Sequence, residues 1–263
     1  MPDASTKHNS AFQIRCGALD GVFDNDGREQ PKRSSICWFR SRKDVSVKRI
    51  FSMLERSFFQ RDPVTCAREL IGCELVWRSC AGIIVETEAY TATNDEACHT
   101  FFRPSARRFV ENHPAGAAYV YFNYGMYWLL NVLIKGGSEN GFVLFRAIEP
   151  RCGVELMTSR RLAHRQSPLA HPRQLCSGPG KLTLAFGVTG RDHGRDLCGL
   201  KTIGFRPALG PVEVVEDVRI GISRATDLRW RFLLRGSEYV SVPVRPRPLD
   251  DPRKMQKARP ARG

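Results

Sequence analysis

The chain has 263 residues, 42% of them hydrophobic and 10% aromatic, with a formal net charge of +14. That length suits one large domain or two small ones with a substantial core, and the sequence lacks the run of about 18 apolar residues that a membrane-spanning helix needs. The charge invites a polyanionic partner, but residues 1–50 hold 10 Lys/Arg against 6 Asp/Glu and residues 245–263 hold 7 against 2, so much of the excess sits in the tails and argues only weakly for nucleic-acid binding.

The stretch Met1–Lys7 has no apolar core of the kind a signal peptide carries, which points to the cytoplasm. Nine cysteines without a CxxC pair read as reduced, mostly buried thiols. No zinc spacing emerges, so neither a metal nor another cofactor is expected.

Residues 1–48 show no sustained hydrophobic period and read as a basic, disordered extension. The globular part begins near Arg49 and runs to 244. Asp62 as N-cap with Pro63 at the first position starts a helix through Ile71, and Gly72 stops it. Cys73–Arg78 and Gly82–Tyr90 follow as strands. In the second, period-two alternation puts Ile83, Val85, Thr87 and Ala89 on a core face. Ile84, Glu86, Glu88 and Tyr90 share the other face, which borders a cleft or solvent. Taken alone, an amphipathic strand with one wet face is the simpler reading.

Thr91–Pro114 is a connection with a short helix at Pro104–Glu111. It carries His99 and the cluster Arg103, Arg107 and Arg108. A histidine in a loop is ordinarily just exposed, so His99 gains interest only from its neighbours. Ala117–Phe122, a turn at 123–126 and Tyr127–Ile134 form a hairpin, and Phe142–Ile148 extends it into an antiparallel meander. Tyr127, Leu129, Asn131 and Leu133 share one face of the returning strand. Asn131 and Arg146 are thus single polar residues in apolar strands, either satisfied internally or used in a site. Tyr124 stands at the hairpin tip, where it either folds back or acts as a wedge.

Gly153–His164 reads as a helix whose basic C-terminal end suits its dipole. Four arginines (160, 161, 165, 173) and no acid lie between Leu156 and Arg173. Leu175–Leu182 is a glycine loop leading into a helix that ends near Gly187. It is not a Walker A motif, but its amides and Lys181 can hold one phosphate. Asp192-His193 reads as a turn. Strands at 212–215, 219–222 and 230–234 close the fold, and 245–263 is a basic, disordered tail. The expected fold class is α+β: a single mixed domain over 49–244, with a curved, mainly antiparallel central sheet surrounded by helices.

Several blocks in one order resemble the mammalian-type alkyladenine (3-methyladenine) DNA glycosylase family, which has bacterial members. They are Val85–Tyr90, Asp95–His99, Tyr119–Tyr121 with 124–127, Asn131, Leu144–Pro150, Leu175–Leu182 and Arg219–Ile222, spanning about residues 55–242. The resemblance implies a monofunctional DNA repair enzyme. It would flip a damaged purine, such as 3-methyladenine or hypoxanthine, out of double-stranded DNA and hydrolyse the N-glycosidic bond, leaving an abasic site. Glu88 would be the base that activates water, and Arg146 with the backbone carbonyl of Ile220 would help hold that water. Tyr90 and Tyr121 would sandwich the flipped base, with His99 stacking on it or hydrogen-bonding to it. Asn131 would screen out guanine by clashing with its exocyclic amine, and Tyr124 would fill the gap in the duplex. Arg103, Arg107, Arg108 and Lys181 are candidates for the DNA backbone. A monomer without metal, cofactor or membrane partner is expected. One segment departs: where many members carry a Thr-Pro-Arg-Asn-like segment after the histidine, this chain has Thr100-Phe101-Phe102-Arg103-Pro104-Ser105-Ala106-Arg107-Arg108.

The chemistry supports these roles independently. The glycosidic bond breaks through an oxocarbenium-like sugar, so one nearby carboxylate can take a proton from water and stabilise the cation. Two aromatic faces attract an electron-poor alkylated base by about 0.5–2 kcal/mol. No lysine lies in the pocket strands before Lys135, which favours water over a Schiff base. Two other readings remain open on residues alone. One is a non-catalytic nucleic-acid-binding protein that stacks bases on Tyr90, Tyr121 and Tyr124, which leaves Glu88 unexplained. The other is a hydrolase of free nucleosides or sugars using Glu86 and Glu88 as a pair, roughly 7 Å apart along the strand. Between Glu86 and Glu88 as the base, the resemblance alone decides.

Overall fold

The structure is a computed structural model and describes residues 52–123, 125–164 and 171–244. The elements in chain order are α1 (Pro63–Glu69), β1 (Glu74–Trp77), β2 (Cys80–Thr91), α2 (His99–Phe102), α3 (Pro104–Asn112), β3 (Ala118–Asn123), β4 (Tyr127–Ile134), β5 (Gly141–Cys152), α4 (Val154–Leu162), α5 (Pro179–Phe186), β6 (Ile203–Arg206), β7 (Val214–Asp217) and β8 (Arg231–Leu234). All pairings are antiparallel, in the order β3-β4-β5-β2-β1-β6, with β8 also pairing with β2 and β7 pairing with β8. This is the α+β class expected: a curled sheet with helices laid against it.

Local chemistry explains the framework. Asp62 Oδ1 accepts from the amides of Val64 and Thr65 at 2.9 and 3.0 Å, starting α1 as anticipated. Helix α5 starts at Pro179 and ends at Gly187, whose φ of 71° is the left-handed conformation that suits glycine. The main core lies between the sheet and helices α1, α4 and α5; Phe145, Phe186, Phe205 and Trp77 are fully buried in it. A smaller cluster under α3 holds Phe109, Tyr119, Leu133 and Phe142, with Tyr90 and Tyr121 packed against it.

Four expectations need correction. First, β2 has no wet face. Residues 84–89 are all buried, because β8 covers one edge while a register shift between Ile84 and Thr87 changes the phase. The irregularity sends Ile84 into the main core while Glu86 and Glu88 share the opposite face. Second, Arg219–Ile222 is a bend rather than a strand, because the Arg219 side chain is drawn inward to Asp95. Third, β6 was not anticipated; it pairs with β1 through a segment interrupted by Gly204, where an added Cβ would lie 2.7 Å from the Leu197 carbonyl oxygen. Fourth, among the described residues six cysteines are free and buried, but Cys152 is disulfide-bonded. Tyr124, Arg165 and both tails lie outside the described residues. Among the described residues no helix is long and apolar enough to cross a membrane, and no side-chain cluster suits a metal ion.

Candidate active site

Residues opposite one another in an antiparallel sheet share a face, so the register lays out the site. One rank runs Tyr119, Asn131, Leu144, Glu88 and Arg231 across β3, β4, β5, β2 and β8. A neighbouring rank places Leu133, Phe142 and Tyr90 in line. Helix α2 and the 219–224 bend close over this face, leaving a cavity of about 630 Å³ lined by Tyr90, His99, Tyr121, Asn131, Arg146 and Ile220 among others. That volume is typical of a site for a small molecule or one base.

Glu88 lies directly behind the cavity floor. Its Oε2 accepts from the Tyr90 hydroxyl at 2.7 Å, and its Oε1 accepts from the Ile220 amide at 2.7 Å. Arg146 Nη1 stands 3.2 Å from the same Oε1. All three partners line the cavity while Glu88 itself is fully buried and contributes no surface to it. Burial raises the Glu88 pKa, and it outweighs the opposing pulls of Arg146, the Tyr90 hydroxyl and the Ile220 amide. Arg146 remains a cation: burial works against its charge, but Glu88 and Glu86 outweigh burial. Its Nη1 also reaches the Ile220 carbonyl at 3.5 Å. Glu88, Arg146 and the Ile220 carbonyl therefore converge on one point.

Glu86 has different company. Its Oε1 accepts from Arg146 Nε at 2.9 Å, Arg231 Nε at 2.8 Å and the Ser241 hydroxyl at 2.8 Å, and its Oε2 accepts from the Ser241 amide. Like Glu88, it does not line the cavity. Its Oε1 alone carries three donors, two of them guanidinium groups, so it is the more heavily engaged of the two carboxylates. Its role is to fix Arg146, which reaches Glu88 from the other end of its guanidinium.

The remaining sequence candidates fall into place around the cavity. His99 Nδ1 meets the Tyr119 hydroxyl at 3.0 Å, and its ring stands edge-on to Tyr121 with centroids 4.3 Å apart. Burial, and then the charge of Arg103, lower the His99 pKa to about 4, so the imidazole is neutral at physiological pH. Burial also lifts the phenol of Tyr121, so it stays protonated. Asn131 Nδ2 donates to the Tyr119 carbonyl at 3.1 Å, so this residue both satisfies a backbone group and lines the cavity. Arg103 is half-buried and lines the cavity. Arg107 is exposed and donates to the Thr100 carbonyl at 2.6 Å. Arg108 is exposed, and Lys181 is exposed on the first turn of α5, whose Pro179 lines the cavity. Asn123, at the end of β3 before the hairpin turn, also lines the cavity, and Phe122, Met126 and Tyr127 beside it are exposed.

Sequence reasoning assigned no role to the Asp95–Arg219 pair, to Arg231 or to Ser241. Arg219 spreads over the Tyr90 ring with its guanidinium carbon 4.6 Å from the ring centroid, and over Trp230 at 5.3 Å. The available signal was an arginine inside a short apolar segment at 219 and at 231, but nothing in sequence pairs residues this far apart.

The profile of the family described as Methylpurine-DNA glycosylase matches residues 57–238. The chain belongs to this family and is accordingly a DNA glycosylase, a hydrolase of N-glycosyl bonds, with DNA as its partner. Among its relatives is a protein of Rhodopseudomonas palustris (strain HaA2), 41% identical over 192 residues that cover 73% of this chain and 92% of that one. Another, from Rhizobium etli, is 42% identical over 190 residues covering 72% and 89%. A third, from Methanoculleus marisnigri, is 41% identical over 195 residues covering 72% and 98%. All three are named, provisionally in each case, 3-methyladenine DNA glycosylase.

Proposed function

We propose that this protein excises alkylated or deaminated purines, 3-methyladenine and hypoxanthine among them, from duplex DNA as a cytoplasmic monomer working on the chromosome. The catalytic unit is residues 49–244, with 1–48 and 245–263 outside it. The observation that carries the reading is the position of Glu88, buried immediately behind an aromatic-walled cavity and held by three residues that line it, Tyr90, Arg146 and Ile220.

A base stacked in a duplex cannot reach such a cavity, so the nucleotide must turn out of the helix. Tyr90 and Tyr121 then flank the base, with neutral His99 beside it. Tyr124 takes the vacated place in the stack. Glu88, made more basic by burial, accepts a proton from a water held by Arg146 and the Ile220 carbonyl. Each carboxylate oxygen has more than one lone pair, so the Tyr90 hydroxyl does not exhaust Oε2. The water oxygen bonds to the sugar C1′ as the C1′–N bond breaks, and that electron pair leaves with the base. In a site closed to solvent, the carboxylate also stabilises the positive charge building on the sugar. Asn131 borders the slot where it can exclude the exocyclic amine of guanine, and Arg107, Arg108 and Lys181 face the DNA backbone.

A base-release assay on duplexes carrying 3-methyladenine or hypoxanthine, run beside the free nucleosides, tests this. Release from duplexes alone is expected. Release from free nucleosides at equal rates, or from nothing at all, contradicts it.

A further inference from the structure

Resting on the reading above, we infer that Arg103 is a specificity-determining residue that favours lesions whose bases are uncharged, such as deaminated purines, over cationic N-alkylated purines. The segment that departs from the family, Thr100–Arg108, brings this arginine to the slot. Its backbone is pinned: the Arg103 amide donates to the His99 carbonyl at 2.7 Å, and Pro104 behind it restricts the preceding residue to the extended conformation seen here, φ −115° and ψ 109°. The guanidinium carbon lies 5.7 Å from the Tyr121 ring centroid and 5.6 Å from that of Phe102, and all three residues line the cavity.

The charge census of the cavity singles it out. The lining holds Arg103, Arg146, Arg224 and one acid, Glu96. Arg146 is neutralised by Glu86 and Glu88, and Arg224 lies 3.6 Å from Glu96. Among the described residues, no carboxylate forms an ion pair with Arg103. Its charge is felt at the slot, where it contributes to the lowered pKa of His99.

Two consequences run in the same direction. A purine alkylated at N3 or N7 enters as a cation, and a fixed positive charge beside Tyr121 opposes its binding. When the C1′–N bond breaks, its electron pair goes to the base. A cationic base then departs neutral and needs no help, whereas a neutral base departs as an anion until it takes a proton from solvent. A guanidinium beside the slot stabilises that anion and does nothing for the neutral leaving group.

The test is single-turnover release from one duplex sequence carrying either hypoxanthine or 7-methylguanine, using the full chain, Arg103→Gln, Arg103→Met and Arg103→Lys. The ratio of hypoxanthine to 7-methylguanine release should fall on the order of tenfold in both neutral variants, as expected for removing one unpaired charge at this range, and Arg103→Lys should retain most of it. Arg103→Met keeps an apolar stem against Tyr121 and Phe102, so it carries the test if Arg103→Gln folds poorly. Binding to undamaged duplex as a function of salt separates the alternative. An unchanged ratio, with both rates reduced together and a salt slope smaller by about 1, would make Arg103 a phosphate contact and overturn the inference. Failure of the wild-type chain to release either base would instead overturn the proposed function.

Discussion

Arg219 grips Asp95 through two parallel hydrogen bonds, Nη1 to Oδ2 at 2.6 Å and Nη2 to Oδ1 at 2.8 Å, with both side chains wholly buried. The same carboxylate accepts from the amides of Thr91 and Ala97, and the same guanidinium donates to the Ala89 carbonyl and covers Tyr90. One pair thereby ties the end of β2, the His99 connection and the Ile220 bend together. Removing one member leaves the other charge buried and alone. Asp95→Ala should lower unfolding free energy by roughly 3–5 kcal/mol in chemical denaturation. The double replacement of Asp95 and Arg219 by apolar residues should cost less than the sum of the two single changes.

Glu86 anchors Arg146 and Arg231 through its Oε1. Glu86→Gln removes the buried charge that Arg146 and Arg231 share, leaving them only Glu88 and Asp217, so it should destabilise the fold by about 3 kcal/mol. Base release should fall with it, because Arg146 loses its anchor. Equilibrium denaturation gives the first quantity and single-turnover kinetics the second.

His99 predicts a pH signature of the fold. Its pKa drops from 6.5 to about 4 in the folded chain. Between those values the unfolded chain holds more protons than the folded one, so the stability linked to His99 is complete above 6.5 and is lost as pH falls through about 4. His99→Gln should flatten that part of the stability–pH curve, and the imidazole resonances of His99 in the native protein should not titrate above about pH 5.5.

Gly180 meets Tyr127 at close range: an added Cβ would lie 2.6 Å from the ring's Cγ and 2.8 Å from its Cβ. Gly180→Ala should therefore push the hairpin away from α5, costing about 1–3 kcal/mol by overpacking. Base release should fall while the Glu88 network stays intact, which denaturation and release assays together would show.

Strand phase was legible where the chain alternates cleanly. β4 runs from Tyr127 to Ile134 as anticipated, and Asn131 shares its cavity face with Leu129. The same alternation put Glu88 and Tyr90 on one face of β2, and the two are hydrogen-bonded, with Tyr90 lining the cavity. The rule failed at Ile84, because a register shift between paired strands is a property of two strands, while period-two counting sees one. Burial of both faces was also hidden, since β8 arrives from more than 140 residues away, as the Glu86–Arg231 separation of 145 shows. The expected strand at Arg219–Ile222 looked right by composition, but the partner that bends it, Asp95, lies 124 residues earlier. Choosing Glu88 over Glu86 had no basis in spacing and rested on the family resemblance; the structure adds that the partners of Glu88 line the cavity.

The most direct measurement is single-turnover base release by Glu88→Gln beside its affinity for a lesion-bearing duplex. Glutamine keeps the shape: its carbonyl oxygen can accept from the Ile220 amide while its NH2 donates to the Tyr90 hydroxyl oxygen, but it cannot take a proton from water. Glutamine removes one of the two carboxylates that hold Arg146, so equilibrium denaturation run beside the release assay shows that the variant is folded. Release should drop by about a hundredfold or more, with binding to damaged duplex largely kept. Release at the wild-type rate in a folded, DNA-binding Glu88→Gln protein would contradict the assignment of Glu88 as the base.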